Sequence, residues 1–171
     1  SDVYKRQAIH DVPPTKDFSV VGHAVLGASK PNNVSDVPYG LTYGVKFYYK
    51  VSEFFLAGFH YYQANYKPTN FVNEVSVQKF SLELAVPLYS PGNFAFGIYG
   101  GYPVYLSAAA DGVSLLKNRN EEVLNVSPYE QKEIYGGVFG FYRPYSRIGF
   151  RMDLGLDILS IGVGAVSYTH L

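Results

Sequence analysis

The feature that most constrains this chain is a period-two alternation of apolar and polar residues along most of its length. Seven segments carry this pattern or a weaker form of it: residues 17–27, 39–51, 53–66, 79–88, 93–107, 130–142 and 147–158. Successive side chains of a β-strand point to opposite faces, so this period predicts strands that each have one apolar face. The sequence therefore predicts an all-β chain.

The connections between the predicted strands alternate between short and long. Tight turns are predicted at 50–53, 89–93 and 143–146, and longer loops at 28–38, 67–73 and 109–128. Short turns at one end and long loops at the other are typical of outer-membrane barrels, which have an even number of strands in bacteria. We therefore predict an antiparallel up-and-down transmembrane β-barrel of eight strands, with about seven present and the C-terminal strand missing.

The two ends of the chain are related to each other at the DNA level. Residues 2–7 (DVYKRQ) and 166–171 (VSYTHL) back-translate to strings that are reverse complements of each other. We identify these strings as the transposon end used to fragment DNA for sequencing, and we assign residues 1–7 and 166–171 to this adapter. The remaining residues, 8–165, are predicted to be an outer-membrane β-barrel domain within a metagenomic fragment.

Composition removes several classes of function. The chain has 14 basic and 14 acidic residues, so no basic surface indicates a nucleic-acid partner. It contains no Cys, which excludes disulfide scaffolds and Cys-ligated metal sites. Three histidines precede the predicted adapter, at positions 10, 23 and 60, and none stands at metal-ligand spacing from another. We predict no catalytic residue, no cofactor and no metal, and we expect His60 to be a hydrogen-bonded histidine of the barrel interior.

The polar faces of the strands decide between a membrane barrel and a soluble one. A lipocalin-like barrel would turn its apolar faces inward around a small hydrophobic ligand and its polar faces to water. The polar faces here are mostly Gly, Ala and Ser with a few charges, which suits the crowded interior of an eight-stranded barrel. We therefore expect the apolar faces to contact lipid, with the soluble barrel, a narrow pore and a lipid-modifying enzyme as alternatives.

Two sets of residues follow from this orientation. The predicted charge network of the lumen is Lys46, Lys50, Lys79, Glu83, Arg147, Arg151, Asp153 and Asp157. The predicted lipid-facing residues are Leu41, Val45, Phe47, Leu82, Leu84, Val86, Phe94, Phe96, Ile98, Val104, Ile148, Phe150, Met152, Leu154 and Leu156. Tyrosines near the strand ends are expected at the membrane interfaces: Tyr39, Tyr49, Tyr89, Tyr142 and Tyr145.

Three stretches resemble a known family. KFSLELAVPLYSPGNFAFGIYGGYPVYLSAAADG is similar to the strand-four and strand-five hairpin of the PorT-like outer-membrane β-barrel proteins of Bacteroidota. IYGGVFGFYRPYSRIGFRMDLGLDILSIG resembles the hairpin that follows, and GVKFYYKVSEFFLAGFHYYQANYK resembles the second and third strands. The resemblance implies an outer-membrane barrel, with a role in secretion by analogy to the family's namesake, and it supplies no catalytic residues. We further expect an envelope protein to bind through the 109–128 loop.

Overall fold

Eight antiparallel strands form one closed barrel in a computed structural model of the chain, which describes residues 20–31, 37–52, 54–68, 74–110, 127–144, 147–156 and 158–167. The strands are β1 (Val20–Ser29), β2 (Gly40–Lys50), β3 (Leu56–Tyr66), β4 (Val75–Tyr89), β5 (Phe94–Ala110), β6 (Tyr135–Tyr142), β7 (Ile148–Gly155) and β8 (Ile158–Ser167). Each strand pairs with its neighbour in sequence, and β8 pairs with β1. No helix of the described residues is long and apolar enough to cross a membrane.

The predicted eight-stranded barrel is confirmed, but the expectation that only about seven strands are present, with the C-terminal one missing, was wrong. Residues 158–167 form β8, which pairs with both β7 and β1 and so closes the barrel. The turn before β8 was overlooked because Leu154, Leu156 and Ile158 continue the alternation through it, although Leu156 is exposed and Ile158 is buried. β8 also includes Val166 and Ser167, which fall in the segment predicted to be adapter. The adapter origin of the two ends stays a prediction.

The connections fall at two distinct ends of the barrel. The short-turn end has the connections 51–55, 90–93 and 143–147, and the long-loop end has 30–39, 67–74 and 111–134. The turn at 90–93 depends on Gly92, whose φ of 57° lies in the left-handed region that glycine adopts without strain. The connection between β7 and β8 is the exception, because it has two residues and yet lies at the long-loop end.

The interior of the barrel is filled by side chains in three layers. The short-turn layer is apolar and aromatic and consists of Val21, Tyr48, Leu56, Ala85, Ala95, Tyr99, Phe139, Phe141 and Val166; Tyr135, at the other end of β6, extends the same cluster into the middle layer. The long-loop layer consists of Val37, Tyr62, Ala64, Tyr66, Val75, Val77 and Tyr129. Along β4, Val77 belongs to the long-loop layer and Ala85 to the short-turn layer, and Glu83 lies between them. The middle layer is therefore polar and is enclosed from both ends.

Candidate functional site: a charged cluster inside the barrel

Four ionisable side chains from three strands meet in the middle layer. Lys46 comes from β2, Glu83 from β4, and Arg151 and Asp153 from β7, and each residue is at most 4% exposed. All four stand at interior positions of their strands, where period-two alternation turns them away from the apolar outer surface. We call these four residues the charged cluster. It combines two cations with two carboxylates and is balanced in formal charge.

Glu83 is the residue of the cluster with the most partners. Its carboxylate lies 3.5 Å from Lys46 Nζ and 3.1 Å from His60 Nδ1. The hydroxyl of Tyr135 donates a hydrogen bond of 2.6 Å to Oε1, and the hydroxyl of Tyr48 donates to Oε2. A buried carboxylate is stable only when its oxygens are paired in this way. Glu83 thus connects β4 with β2, β3 and β6.

Asp153 holds the other half of the cluster. One oxygen lies 3.2 Å from Lys46 Nζ and accepts a 3.4 Å hydrogen bond from Ser160 Oγ. The other oxygen accepts a 2.8 Å hydrogen bond from Arg151 Nε and lies 2.8 Å from Arg151 Nη2. Lys46 lies between the two carboxylates, so it joins the Glu83 half to the Asp153 half.

Aromatic rings cover the cations of the interior. The Arg151 guanidinium carbon lies 4.5 Å from the centre of the Tyr48 ring and 4.4 Å from that of Phe139. Lys79 Nζ, one layer nearer the long-loop end, lies 3.9 Å from the centre of the Tyr135 ring. Cation–π contacts of this kind stabilise desolvated cations by about 2 kcal/mol or more. The rings and ion pairs together fill the space that a pore would occupy.

Both described histidines are buried in the interior. His60 bonds Glu83 and its ring centre lies 4.9 Å from that of Tyr62. His23 packs edge-on against Phe141 at 5.6 Å, and neither of its ring nitrogens has a hydrogen-bond partner in the described part of the chain. Among the described residues, His, Asp and Glu form no group of three or more that could hold a metal ion.

A short 3₁₀ helix, Ser127–Glu130, lies at the long-loop end. Its Tyr129 is 5% exposed and packs against Tyr66, with ring centres 6.0 Å apart. Burial raises the pKa of the Tyr129 hydroxyl above its ordinary value. Two neighbouring side chains bind the part of β5 that extends beyond its pairing with β6. The Glu130 carboxylate accepts a 3.0 Å hydrogen bond from the Ala108 amide, and Lys132 Nζ donates a 2.7 Å hydrogen bond to the Val104 carbonyl. We call residues 127–134 the cap.

The other residues of the predicted lumen network lie outside the charged cluster. Lys79 is buried beside the rings described above, and Lys50 is half-buried at the end of β2. The placement of Arg147 in the lumen was wrong, because β7 begins one residue later and Arg147 is exposed at the turn. Asp157 lies outside the described residues.

Sequence reasoning missed three side chains that donate hydrogen bonds to the cluster, namely Tyr48, Tyr135 and Ser160. Tyr48 could have been found, since it shares its strand face with Lys46. Tyr135 lies in a segment whose phase the pattern left uncertain, and Ser160 lies in the overlooked strand.

The predicted lipid-facing residues all lie on the outside of the barrel. Each is exposed except Val86, which is half-buried. The interface tyrosines Tyr39, Tyr49, Tyr89 and Tyr142 are exposed as well, and Tyr145 lies outside the described residues. The lipocalin-like alternative needs the apolar faces inside around a ligand, and the structure places them outside around a charged interior.

Comparison with known proteins supports the fold. No family model matches the chain, and no curated protein matches it. Among solved structures, a de novo designed transmembrane β-barrel superposes with a TM-score of 0.51 at 10% identity, covering 93% of this chain and 100% of that chain. The match to OprG of Pseudomonas aeruginosa covers 94% of this chain and 98% of OprG, at 14% identity and a TM-score of 0.48. The match to Ail of Yersinia pestis covers 88% of this chain and 96% of Ail, at 8% identity and a TM-score of 0.38.

The fold and the interior together define the class of protein. The chain is an antiparallel up-and-down β-barrel of the transmembrane type, with eight strands, an apolar exterior and a filled interior. This class is the one that the alternation, the connection lengths and the small residues of the polar faces predicted.

Proposed function

We propose that this chain is an outer-membrane protein of a Gram-negative bacterium with a structural or interaction role in the cell envelope. The observation that carries the proposal is the combination of an apolar exterior with a charged interior. Large apolar side chains such as Leu82 and Leu84 are 56% and 59% exposed, whereas Lys46 and Glu83 are at most 2% exposed. This arrangement is unfavourable in water and favourable in a bilayer.

The proposed protein does not conduct bulk solutes. The charged cluster lies between two layers made mostly of apolar and aromatic side chains, and Tyr129 of the cap packs into the layer at the long-loop end. A porin-like channel needs a wide, water-filled lumen, which barrels of 16 or so strands provide and eight-stranded barrels do not. A narrow pore would require the ion pairs and rings of the middle layer to separate.

The proposed protein is also not an enzyme. His23 and His60 are at most 2% exposed, so neither can reach a lipid or peptide substrate at the surface of the barrel. The carboxylates of the charged cluster are occupied by ion pairs and hydrogen bonds. What supports this proposal is that the four residues of the charged cluster pair with one another in the interior.

A finer assignment rests on the family resemblance. The resemblance of residues 44–67, 79–112 and 134–162 to PorT-like strand patterns supports a protein of Bacteroidota with a role linked to secretion. By this proposal an envelope protein binds at the 109–128 loop, of which residues 111–126 lie outside the described part of the chain.

Reconstitution tests the proposal. The protein is unfolded in urea and diluted into buffer alone, into detergent micelles or into lipid vesicles, and β-structure is followed by circular dichroism. We expect folding only with detergent or lipid, and no conductance steps in planar bilayers under conditions where a general porin conducts. A folded monomer in buffer alone would refute the membrane placement, and reproducible conductance would refute the sealed interior.

A further inference from the structure

The wall of the barrel has very unequal height around its circumference. β4 has 15 residues and β5 has 17, whereas β6 and β7 have 8 each. At about 3.3 Å per residue and a tilt of about 40°, eight residues rise roughly 20 Å, and 17 residues rise roughly 43 Å. The apolar band of an outer-membrane barrel is about 25 Å tall. The hairpin of β6 and β7, which we call the short wall, is therefore lower than the band.

The charge at the short-turn end of the short wall determines where that end lies in the membrane. Arg143 and Arg147 border the turn at the short-turn end; Arg143 is buried, and Arg147 is the exposed one. An arginine on the lipid face costs about 2–4 kcal/mol at the bilayer midplane and close to zero at the interface. This turn therefore lies at the interface, and the missing height falls at the long-loop end.

The long-loop end of the short wall carries the most exposed large apolar side chains of the described residues. Leu156 is 86% exposed and Ile134 is 81% exposed. They belong to one part of the rim, because the Leu156 amide donates a 3.3 Å hydrogen bond to the Gly136 carbonyl, two residues after Ile134. Transfer of such a side chain from water to hydrocarbon is favourable by about 1.5–3 kcal/mol.

We propose that the rim formed by Ile134 and Leu156 is inserted among the acyl chains of the outer leaflet. The rim continues the apolar surface of β6 and β7, so the same lipid layer covers both. Where the wall is low, the bilayer thins to meet it, at a cost of a fraction of a kcal/mol per Å that burial of the two side chains offsets. On the neighbouring strand, the upper part of β5 around Ala109 continues past its pairing with β6 and extends beyond the lipid into water.

This inference rests on the proposed membrane placement, and tryptophan reporters separate the two. The chain contains no Trp, so each single substitution gives one fluorophore. Leu156→Trp and Ile134→Trp report the rim, Met152→Trp reports the middle of the short wall, and Ala109→Trp reports the upper part of β5. Each variant is folded into phosphatidylcholine vesicles with or without lipid brominated along its acyl chains, and quenching is measured.

The rim variants are expected to show at least half the fractional quenching of Met152→Trp, together with blue-shifted emission. Ala109→Trp is expected to show little quenching. If Met152→Trp is quenched and both rim variants behave like Ala109→Trp, the rim inference is refuted and the membrane placement stands. If Met152→Trp itself is not quenched in the folded protein, the membrane placement is refuted as well.

Discussion

Neutralising Glu83 tests the charged cluster directly, because it changes one charge with little change in shape. Glu83→Gln keeps the size of the side chain and removes one of two negative charges, so that Lys46 and Arg151 share Asp153 alone. At 3.5 Å and an effective dielectric constant near 20, the attraction between Glu83 and Lys46 is worth about 5 kcal/mol before desolvation is subtracted. Breaking one partner of a buried ion pair typically costs about 3–5 kcal/mol, so we expect a loss of roughly 3 kcal/mol in the free energy of unfolding.

A second substitution tests whether the loss in the free energy of unfolding comes from leaving the buried Lys46 without Glu83. Lys46→Met combined with Glu83→Gln removes both charges and leaves Asp153 paired with Arg151. We expect the double variant to recover most of the stability, with a coupling energy of about 2 kcal/mol or more, because replacing a whole buried pair by neutral groups is often nearly neutral.

The assay is urea unfolding in lipid vesicles, followed by tyrosine fluorescence and circular dichroism. Glu74→Gln, at an exposed position before β4, serves as the matched control and should change stability by less than about 0.5 kcal/mol. The reasoning is refuted if Glu83→Gln is as stable as Glu74→Gln, or if adding Lys46→Met lowers stability further.

Three other predictions concern the interior and the cap. Arg151→Ala should lower the thermal unfolding midpoint in detergent, with a loss of about 3–5 kcal/mol, and an unchanged midpoint would show that this guanidinium is not buried in an ion pair. Gly101→Ala should lower the free energy of unfolding in urea by about 1–3 kcal/mol, because its Cβ would lie 2.6 Å from the Tyr135 hydroxyl oxygen. The control Gly100→Ala should be neutral, because the nearest atom to its Cβ lies at 3.6 Å. Equal effects of the two substitutions would contradict this packing. Tyr129→Ala should speed hydrogen exchange of the cap, with about 2 kcal/mol lost locally, and Tyr129→Phe should keep most of the protection; exchange that is unchanged in the Ala variant would show that this ring does not hold the cap.

The fold was largely predictable from the sequence because period two determines which side chains share a face. The alternation of residues 39–51, for example, predicted both β2 and the outward direction of Tyr43, Phe47 and Tyr49, and the structure confirms the barrel class. The number of strands was not predictable in the same way. Leu156 is apolar and keeps the alternation in phase, so the two-residue turn at 156–157 left no signal in the pattern.

The members of the candidate site were partly predictable, and their pairing was not. The strand face of Lys46, Glu83, Arg151 and Asp153 follows from alternation within each strand. That Lys46 bridges Glu83 and Asp153 depends on the register of strands that are not neighbours in the barrel and on how far each side chain reaches across it. Such distances depend on barrel closure, which no local pattern encodes.

The most direct test of the account compares one outward and one inward position of β4 in folded protein in vesicles. Because the chain has no Cys, Leu84→Cys carries a single spin label on the outer face, and Ser81→Cys places a single thiol in the interior. We predict that the label at position 84 is relaxed by oxygen, which partitions into lipid, and not by a water-soluble nickel complex. We also predict that the thiol at position 81 resists a water-soluble maleimide until the barrel is denatured. Relaxation of the label by the nickel complex, or rapid labelling of the interior thiol, would contradict a sealed barrel with a lipid-covered exterior.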